Sequence, residues 1–178
     1  MAGEKALEYI RERDRKIENI SKLLQSSPDK IEETIMNFIS NLEKFRRVNK
    51  TLLKNFGKAI AKEIIEKSII VDDIKLCVLF EELLDEASLI AIGEKSIEME
   101  DKLVFIGITT EDDKLKLVTF SSDGAIRKGI NAGILAKKIS EKLGGSGGGN
   151  QRFGRGGGYK EKFNKKNLKE IISLVMGS

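Results

Sequence analysis

The residues able to do chemistry in this chain are few, and most lie in one stretch. Residues 143–158 read LGGSGGGNQRFGRGGG, where two glycine triplets, Gly147–Gly149 and Gly156–Gly158, bracket a hexapeptide holding Arg152 and Arg155. Lys128, Lys137 and Lys138 precede this stretch, and Lys160 and Lys162 follow it. Backbone N–H groups in glycine turns form concave anion sites, and lysine and arginine add charge to them. Residues 127–178 carry twelve Lys/Arg against three Glu, a net of +9. Residues 1–126 carry twenty against twenty-five Asp/Glu, a net of −5. Such clustering fits a polyanion partner, and a solvated basic surface is the plainer alternative.

Other chemistries are excluded by what is missing. Histidine is absent, which removes the usual general base, the usual metal ligand and every triad built on it. The single cysteine, Cys77, excludes an internal disulfide and a multi-cysteine metal centre. Its setting in the apolar run 74–80 reads as a small buried side chain. No catalysis and no cofactor are therefore expected of this chain alone. No apolar run is long enough to span a bilayer. The charged start MAGEKALEYI shows no secretory signal, so a cytoplasmic location is expected.

The glycines do not make a nucleotide loop. A phosphate-binding P-loop needs a strand before it and Gly-Lys-Ser/Thr after it, and the dinucleotide fingerprint also follows a strand. Here a helix over 130–143 precedes, and no Gly-Lys-Ser/Thr occurs. A flexible linker is the bland reading, opposed by ordered elements on both sides. An Arg-Gly RNA-binding segment is another, but its units do not repeat. The remaining arrangement is turn–strand–turn. Gly144 and Gly145 stop the helix in left-handed conformations. The triplet Gly147–Gly149 lets the backbone pass close to a neighbouring chain or ligand. A short strand then runs from Asn150 to Arg155, and Gly156–Gly158 ends it. Phe153 either stacks on an exposed base or fills the core.

The elements that must position these residues follow from periodicity. Ala6, Ile10, Ile17, Ile20 and Leu24 share one face of a helix over 5–25. Ser27 as N-cap and Pro28 at the first position then start a long helix running to about residue 68. Two helices joined by a short turn read as an antiparallel hairpin. The second carries a coiled-coil-like seam of Ile31, Ile35, Phe38, Leu42, Phe45, Asn49, Leu52, Phe56 and Ala59. A second stripe, Ile39, Arg46, Leu53 and Ile60, lies beside it. One stripe can meet the first helix and the other a second copy of the chain. The dimer seam expected is Ile35, Phe38, Leu42, Phe45, Asn49, Leu52 and Phe56, with Asn49 fixing register. The alternative is that the first helix covers all of this surface.

From residue 69 the period shortens. A strand is predicted at 74–80, a helix at 84–99 with Asp85 near its start and Gly93 a weak spot, and strands at 103–109 and 114–121 joined as a hairpin. A Ser-Asp-Gly turn at 122–124, the helix at 130–143 and a final helix at 164–176 capped by Asn164 complete the order. The fold class expected is α+β/α/β. A long N-terminal helical hairpin occupies 1–68, and a small globular α/β subdomain with a mixed sheet and the Gly-rich motif occupies 69–178.

The motif Asn131-Ala132-Gly133, the lysine-rich helix after it, then LGGSGGG, six residues and a second glycine triplet resemble the C-terminal domain of alanyl-tRNA synthetases, of archaeal-like type. GEKALEY at 3–9 and LLQSSPDKIE at 23–32 are similar to the helical segment that follows the editing domain in that family. The insert Asn150–Arg155 departs from the Arg-Pro-Asp-containing insert common there. The related domain of Asp-His-His phosphoesterases carries a histidine where Asn150 stands, so the phosphoesterase alternative is the weaker one.

The resemblance implies a tRNA-binding and dimerising module of an alanine–tRNA ligase. Its partners would be tRNA(Ala), a second copy, and the catalytic and editing domains of the parent enzyme. ATP, Mg and Zn would belong to those other domains only. The tRNA-contacting residues it points to are Lys128, Lys137, Lys138, Gly147, Gly148, Gly149, Asn150, Arg152, Phe153, Arg155, Lys160 and Lys162. An oligomerisation module without RNA binding is the rival.

Overall fold

The computed structural model describes residues 2–163, so the helix expected at 164–176 and its Asn164 cap lie outside the described residues. The chain forms two compact units, Met1–Lys50 and Thr51–Ser178. The expected division at 68/69 follows the change from helix to strand. By compactness the division falls inside the second helix instead, because the last turns of that helix pack on the sheet unit.

In the first unit, helix α1 spans Ala2–Leu24. It ends with Gln25 at φ 50°, the left-handed position that closes helix C-termini, and Ser26 N–H donates to the Ser21 carbonyl at 3.0 Å. Pro28–Lys30 make one 3₁₀ turn, and helix α2 follows over Ile31–Glu66. Ser27 stands at the N-cap position, but its hydroxyl caps nothing. Thr34 Oγ1 instead donates to Ser26 Oγ at 2.9 Å.

Packing between the two helices is confined to the turn, where Ser21 is buried. Farther out, Leu7 and Ile10 of α1 are exposed, as are Ile35, Phe38, Leu42 and Phe45 of α2, Phe45 at 73%. Ile39 and Arg46 of the second stripe are exposed too. Neither stripe is thus covered by the first helix in this unit, contrary to the expectation that one would be. The reason lies in α1: between Ile10 and Ile17 it offers only charged residues, RERDRK.

The second unit is built on a six-stranded sheet of order β1-β2-β3-β4-β6-β5. Its strands are β1 (Ile69–Val71), β2 (Ile74–Phe80), β3 (Leu103–Glu111), β4 (Lys114–Ser121), β5 (Gly147–Gly149) and β6 (Phe153–Tyr159). β2 and β3 are parallel, joined through helix α3 (Glu86–Met99), and every other pair is antiparallel. Asp85 caps α3, its carboxylate accepting from Ser88 N–H at 2.8 Å. The Ser88 hydroxyl first, and that backbone contact second, hold the Asp85 carboxyl below its ordinary pKa. The short helix α4 (Asp123–Arg127) and helix α5 (Ala132–Lys142) follow β4.

β3 reads as a continuous apolar run because helices cover both faces of the sheet. One face joins Leu76, Val104, Ile106, Ile108, Leu115 and Leu117 to Leu135, Ile139 and Leu143 of the α5 region. The other joins Cys77, Phe105, Val118 and Phe120 to Leu89, Ile92 and Ile97 of α3, with Ile60, Ile64 and Ile65 of α2 at its margin. Gly93, a weak spot by helix propensity, has a packing reason: a β-carbon there would overlap the Phe120 ring.

Cys77 is 1% exposed, and its thiol faces the Ile64 carbonyl at 3.7 Å. Burial raises its pKa to about 12. The thiolate is the reactive form. At pH 8 the native chain should therefore leave a thiol-specific reagent unreacted, and one thiol should titrate once urea unfolds it. Prompt stoichiometric labelling of the native protein would contradict this burial.

Candidate nucleic-acid interface

Helix α5 and the glycine hairpin form one interlocked piece. Asn131 caps α5, its Oδ1 accepting from Ile134 N–H at 3.1 Å. The next two N–H groups of the first turn are also taken. Ala132 donates to the Gln151 carbonyl at 3.0 Å and Gly133 to the Asn150 carbonyl at 2.8 Å. The first N–H groups of a helix have no intrahelical partner and ordinarily seek an anion or a cap. Here the hairpin turn supplies the acceptors, so this helix start is closed to a phosphate.

The glycines adopt strand, turn and strand, the inverse of the expected turn–strand–turn. Both triplets lie in strands, Gly147–Gly149 as β5 and Gly156–Gly158 within β6, and the turn comes from residues 150–152. Asn150 explains the inversion. Its Oδ1 accepts from Arg152 N–H and Phe153 N–H, both at 2.9 Å, while its own N–H donates to the Phe153 carbonyl at 2.8 Å. An Asx turn of this kind reverses the chain without glycine.

What the glycines provide is close approach to α5. Gly154, Gly156 and Gly158 pair with Thr119, Leu117 and Leu115 and so face α5. A β-carbon at Gly154 would lie 2.6 Å from the Ala132 carbonyl oxygen, one at Gly156 would overlap Ser140 Oγ, and one at Gly158 would overlap the Leu143 side chain. From β5, Gly147 sits under Ala136 and Ser140, and Gly149 meets Gly133. The triplet passes close to its own helix. Only Gly148 of these faces open space. Gly144, at φ +74°, ends α5, with Gly145 N–H donating to the Ser140 carbonyl at 2.8 Å.

The expected cations do not form one patch. Strand alternation puts Phe153 and Arg155, paired with Phe120 and Val118, on the α3 face of the sheet. Lys137 and Lys138 belong to α5 on the other face, and neither makes an ion pair with a described residue. Lys128 donates to the Asp72 carbonyl at 2.7 Å and to Asp73 at 3.3 Å, on the β1–β2 turn. Together with Lys102, it holds the Asp73 carboxyl below its ordinary pKa. Arg152 pairs with Asp123 at 2.5 Å, and Lys160 with Glu82 at 3.1 Å. Arg155 grips Glu86 with two bonds, Nε–Oε1 at 2.8 Å and a terminal nitrogen to Oε2 at 2.7 Å. That pairing raises the Arg155 pKa further. Lys162 lies over Gly144.

Phe153 packs on Phe120 with ring centroids 4.8 Å apart, and its remaining edge lines a groove of about 510 Å³ beside Arg152 and Arg155. Sequence reasoning missed the carboxylates Glu82, Glu86 and Asp123, which carry no local signal. Among the described residues, no group of three His, Cys, Asp or Glu is placed to hold a metal, and no helix is long and apolar enough to cross a membrane.

This sheet-and-helix unit matches the DHHA1 domain over residues 73–177. The chain belongs to the DHHA1 family. It is 28% identical over 182 aligned residues to an alanine–tRNA ligase of Nitrosopumilus maritimus, covering 99% of this chain and 19% of that protein. A Methanococcoides burtonii alanine–tRNA ligase is 25% identical over 98% of this chain and 19% of its own length. The chain thus spans about a fifth of the curated relatives it matches. In structure it resembles the C-Ala domain of Aquifex aeolicus alanyl-tRNA synthetase, with a TM-score of 0.56, 23% identity, and coverage of 62% of this chain and 98% of that one. The likeness bears out the expected fold class, a long helix followed by a small mixed-sheet domain. Within this DHHA1 domain, the glycine spacing has a stated cause: alternate strand positions must lack side chains wherever α5 crosses.

Substitutions should separate the two kinds of glycine. Gly154→Ala inserts a methyl into a filled contact and should cost about 1–3 kcal/mol, read as a lower urea midpoint. Gly148→Ala should stay within about 0.5 kcal/mol of the parent chain. Equal effects at the two positions would contradict the helix-on-strand contact.

Proposed function

We propose that this chain is the tRNA-contacting and self-associating C-terminal module of an alanine–tRNA ligase. The observation carrying this reading is similarity to alanine–tRNA ligases over 98–99% of the chain, helical segment included. Aminoacylation with ATP and Mg, and zinc-dependent editing, would reside in the remaining four-fifths of such a ligase. The module would work in the cytoplasm beside those catalytic and editing domains. Its own task would be to hold tRNA(Ala). The net charge of +9 over residues 127–178 supports a phosphate-binding role, and Lys137 and Lys138 are the least engaged of the candidate contacts. Structured RNA is read largely through phosphates, 2′-hydroxyls and exposed bases.

Binding of tRNA to the chain, titrated across a salt series, tests this. Three or more phosphate contacts predict a slope of log K against log salt of about −2 or steeper. Lys137→Gln with Lys138→Gln should weaken binding and flatten that slope. Absence of tRNA binding at low salt would remove the RNA reading.

Self-association rests on the uncovered seam of α2: Ile35, Phe38, Leu42 and Phe45 in the first unit, Leu52 and Phe56 in the second, with Asn49 between them. An exposed apolar stripe with one asparagine suits a matching stripe, where the amides can pair and set register. The solution mass should be that of a dimer. Leu42→Glu with Phe45→Glu should give a monomer whose sheet unit still melts cooperatively. A parent chain that stays monomeric at high concentration would end the dimer reading.

A further inference from the structure

Three of the candidate phosphate contacts are occupied by carboxylates of the same chain, each from a different element. Arg152 is held by Asp123 at the start of α4, Arg155 by Glu86 at the start of α3, and Lys160 by Glu82 in the loop before it. We propose that Arg152, Arg155 and Lys160 form a polyanion track along β6 that these internal carboxylates hold closed, and that RNA phosphates open it by displacing them. The RNA ligand rests on the function proposed above; the closed track itself does not.

The geometry fits an extended nucleic-acid strand. Arg152 and Lys160 stand eight positions apart, one at each end of β6, which at about 3.3 Å per residue gives roughly 26 Å, room for several phosphates. The three cations stay within reach of solvent, with side chains 49–59% exposed, so each can change partner without rebuilding the fold. Exposed ion pairs hold weakly and compete poorly with a multiply charged ligand. The tightest closure is at Arg155. Its planar fork matches the Glu86 carboxylate in the way it would match a phosphate, and Glu86 is only 22% exposed.

Between Arg152 and Arg155 the groove of about 510 Å³ is lined by the half-buried Phe153, with the buried Phe120 behind it, and Phe153 offers an apolar surface for one base. Glu94 and Glu98 stand on its other wall, Glu98 paired with Lys95 of the same helix, and a carboxylate there suits a base N–H rather than a phosphate. Together they orient a nucleotide with its phosphate toward the arginines.

The test is a double-mutant cycle on the full chain, with poly(U) and a heparin column as probes. Glu86→Gln should tighten poly(U) binding about 3–10-fold at low salt and steepen the salt slope by about 0.7, the value for one added contact to a single strand. In an Arg155→Gln background the same change should yield less than twofold, because the cation it releases is gone. The pair Glu82→Gln and Lys160→Gln repeats the cycle at the other end of the track. Circular dichroism confirms that each variant is folded.

An equal gain in both backgrounds marks a general charge effect and overturns the closed track, as does no gain in the parent background. Coupling on heparin without any RNA binding keeps the track and removes the RNA reading. RNA binding without coupling does the reverse.

Discussion

The sheet unit depends on a helix resting directly on strands that have no side chains beneath it. Four glycines of β5 and β6, Gly147, Gly154, Gly156 and Gly158, lie under α5 or its end, where helix atoms occupy the space that β-carbons would need, and Gly133 of the helix is itself bare where Gly149 passes. A strand glycine ordinarily weakens a sheet through chain entropy and marks a place where another backbone comes close. Here that loss is offset in two ways. Burial of Leu135, Ile139 and Leu143 seats the helix on the sheet. Hydrogen bonds from Ala132, Gly133 and Gly157 then lock hairpin and helix to each other.

That constraint determines what the surface can do. The start of α5 would be a natural anion site, yet its N–H groups point at carbonyls of residues 150 and 151. The alternation that turns Gly154, Gly156 and Gly158 toward α5 also turns Phe153 and Arg155 toward α3. Charge is thereby divided between two sheet faces. On the α3 face acids engage the cations; on α5, Lys137 and Lys138 make no ion pair with a described residue, although Glu141 stands one turn further along the helix.

Much of this was legible from local signals. The strand at 74–80, the strands of the central hairpin and the start of α3 at Asp85 all stand where apolar runs and a capping residue place them, whereas α5 starts at Ala132 with Asn131 as its cap, inside the helix expected from 130. The losses have physical causes. β1 has only three residues, and its turn uses Asp72 and Asp73 at φ 47° and 66°, without the glycine that ordinarily announces such a reversal. The glycine hairpin was inverted because glycine favours turns locally, and only the helix packed above shows why it is needed in strands. The pairing of Arg155 with Glu86 joins residues sixty-nine positions apart and follows from topology alone.

The reciprocal capping of α5 and the hairpin turn also bears on the order of assembly. Residues 132 and 133 find their acceptors at 150 and 151, so the start of the helix is complete only after the hairpin has closed. The hairpin in turn has few side chains of its own with which to hold together before the helix arrives. Helix α5 and the glycine hairpin are therefore expected to form, and to open, together.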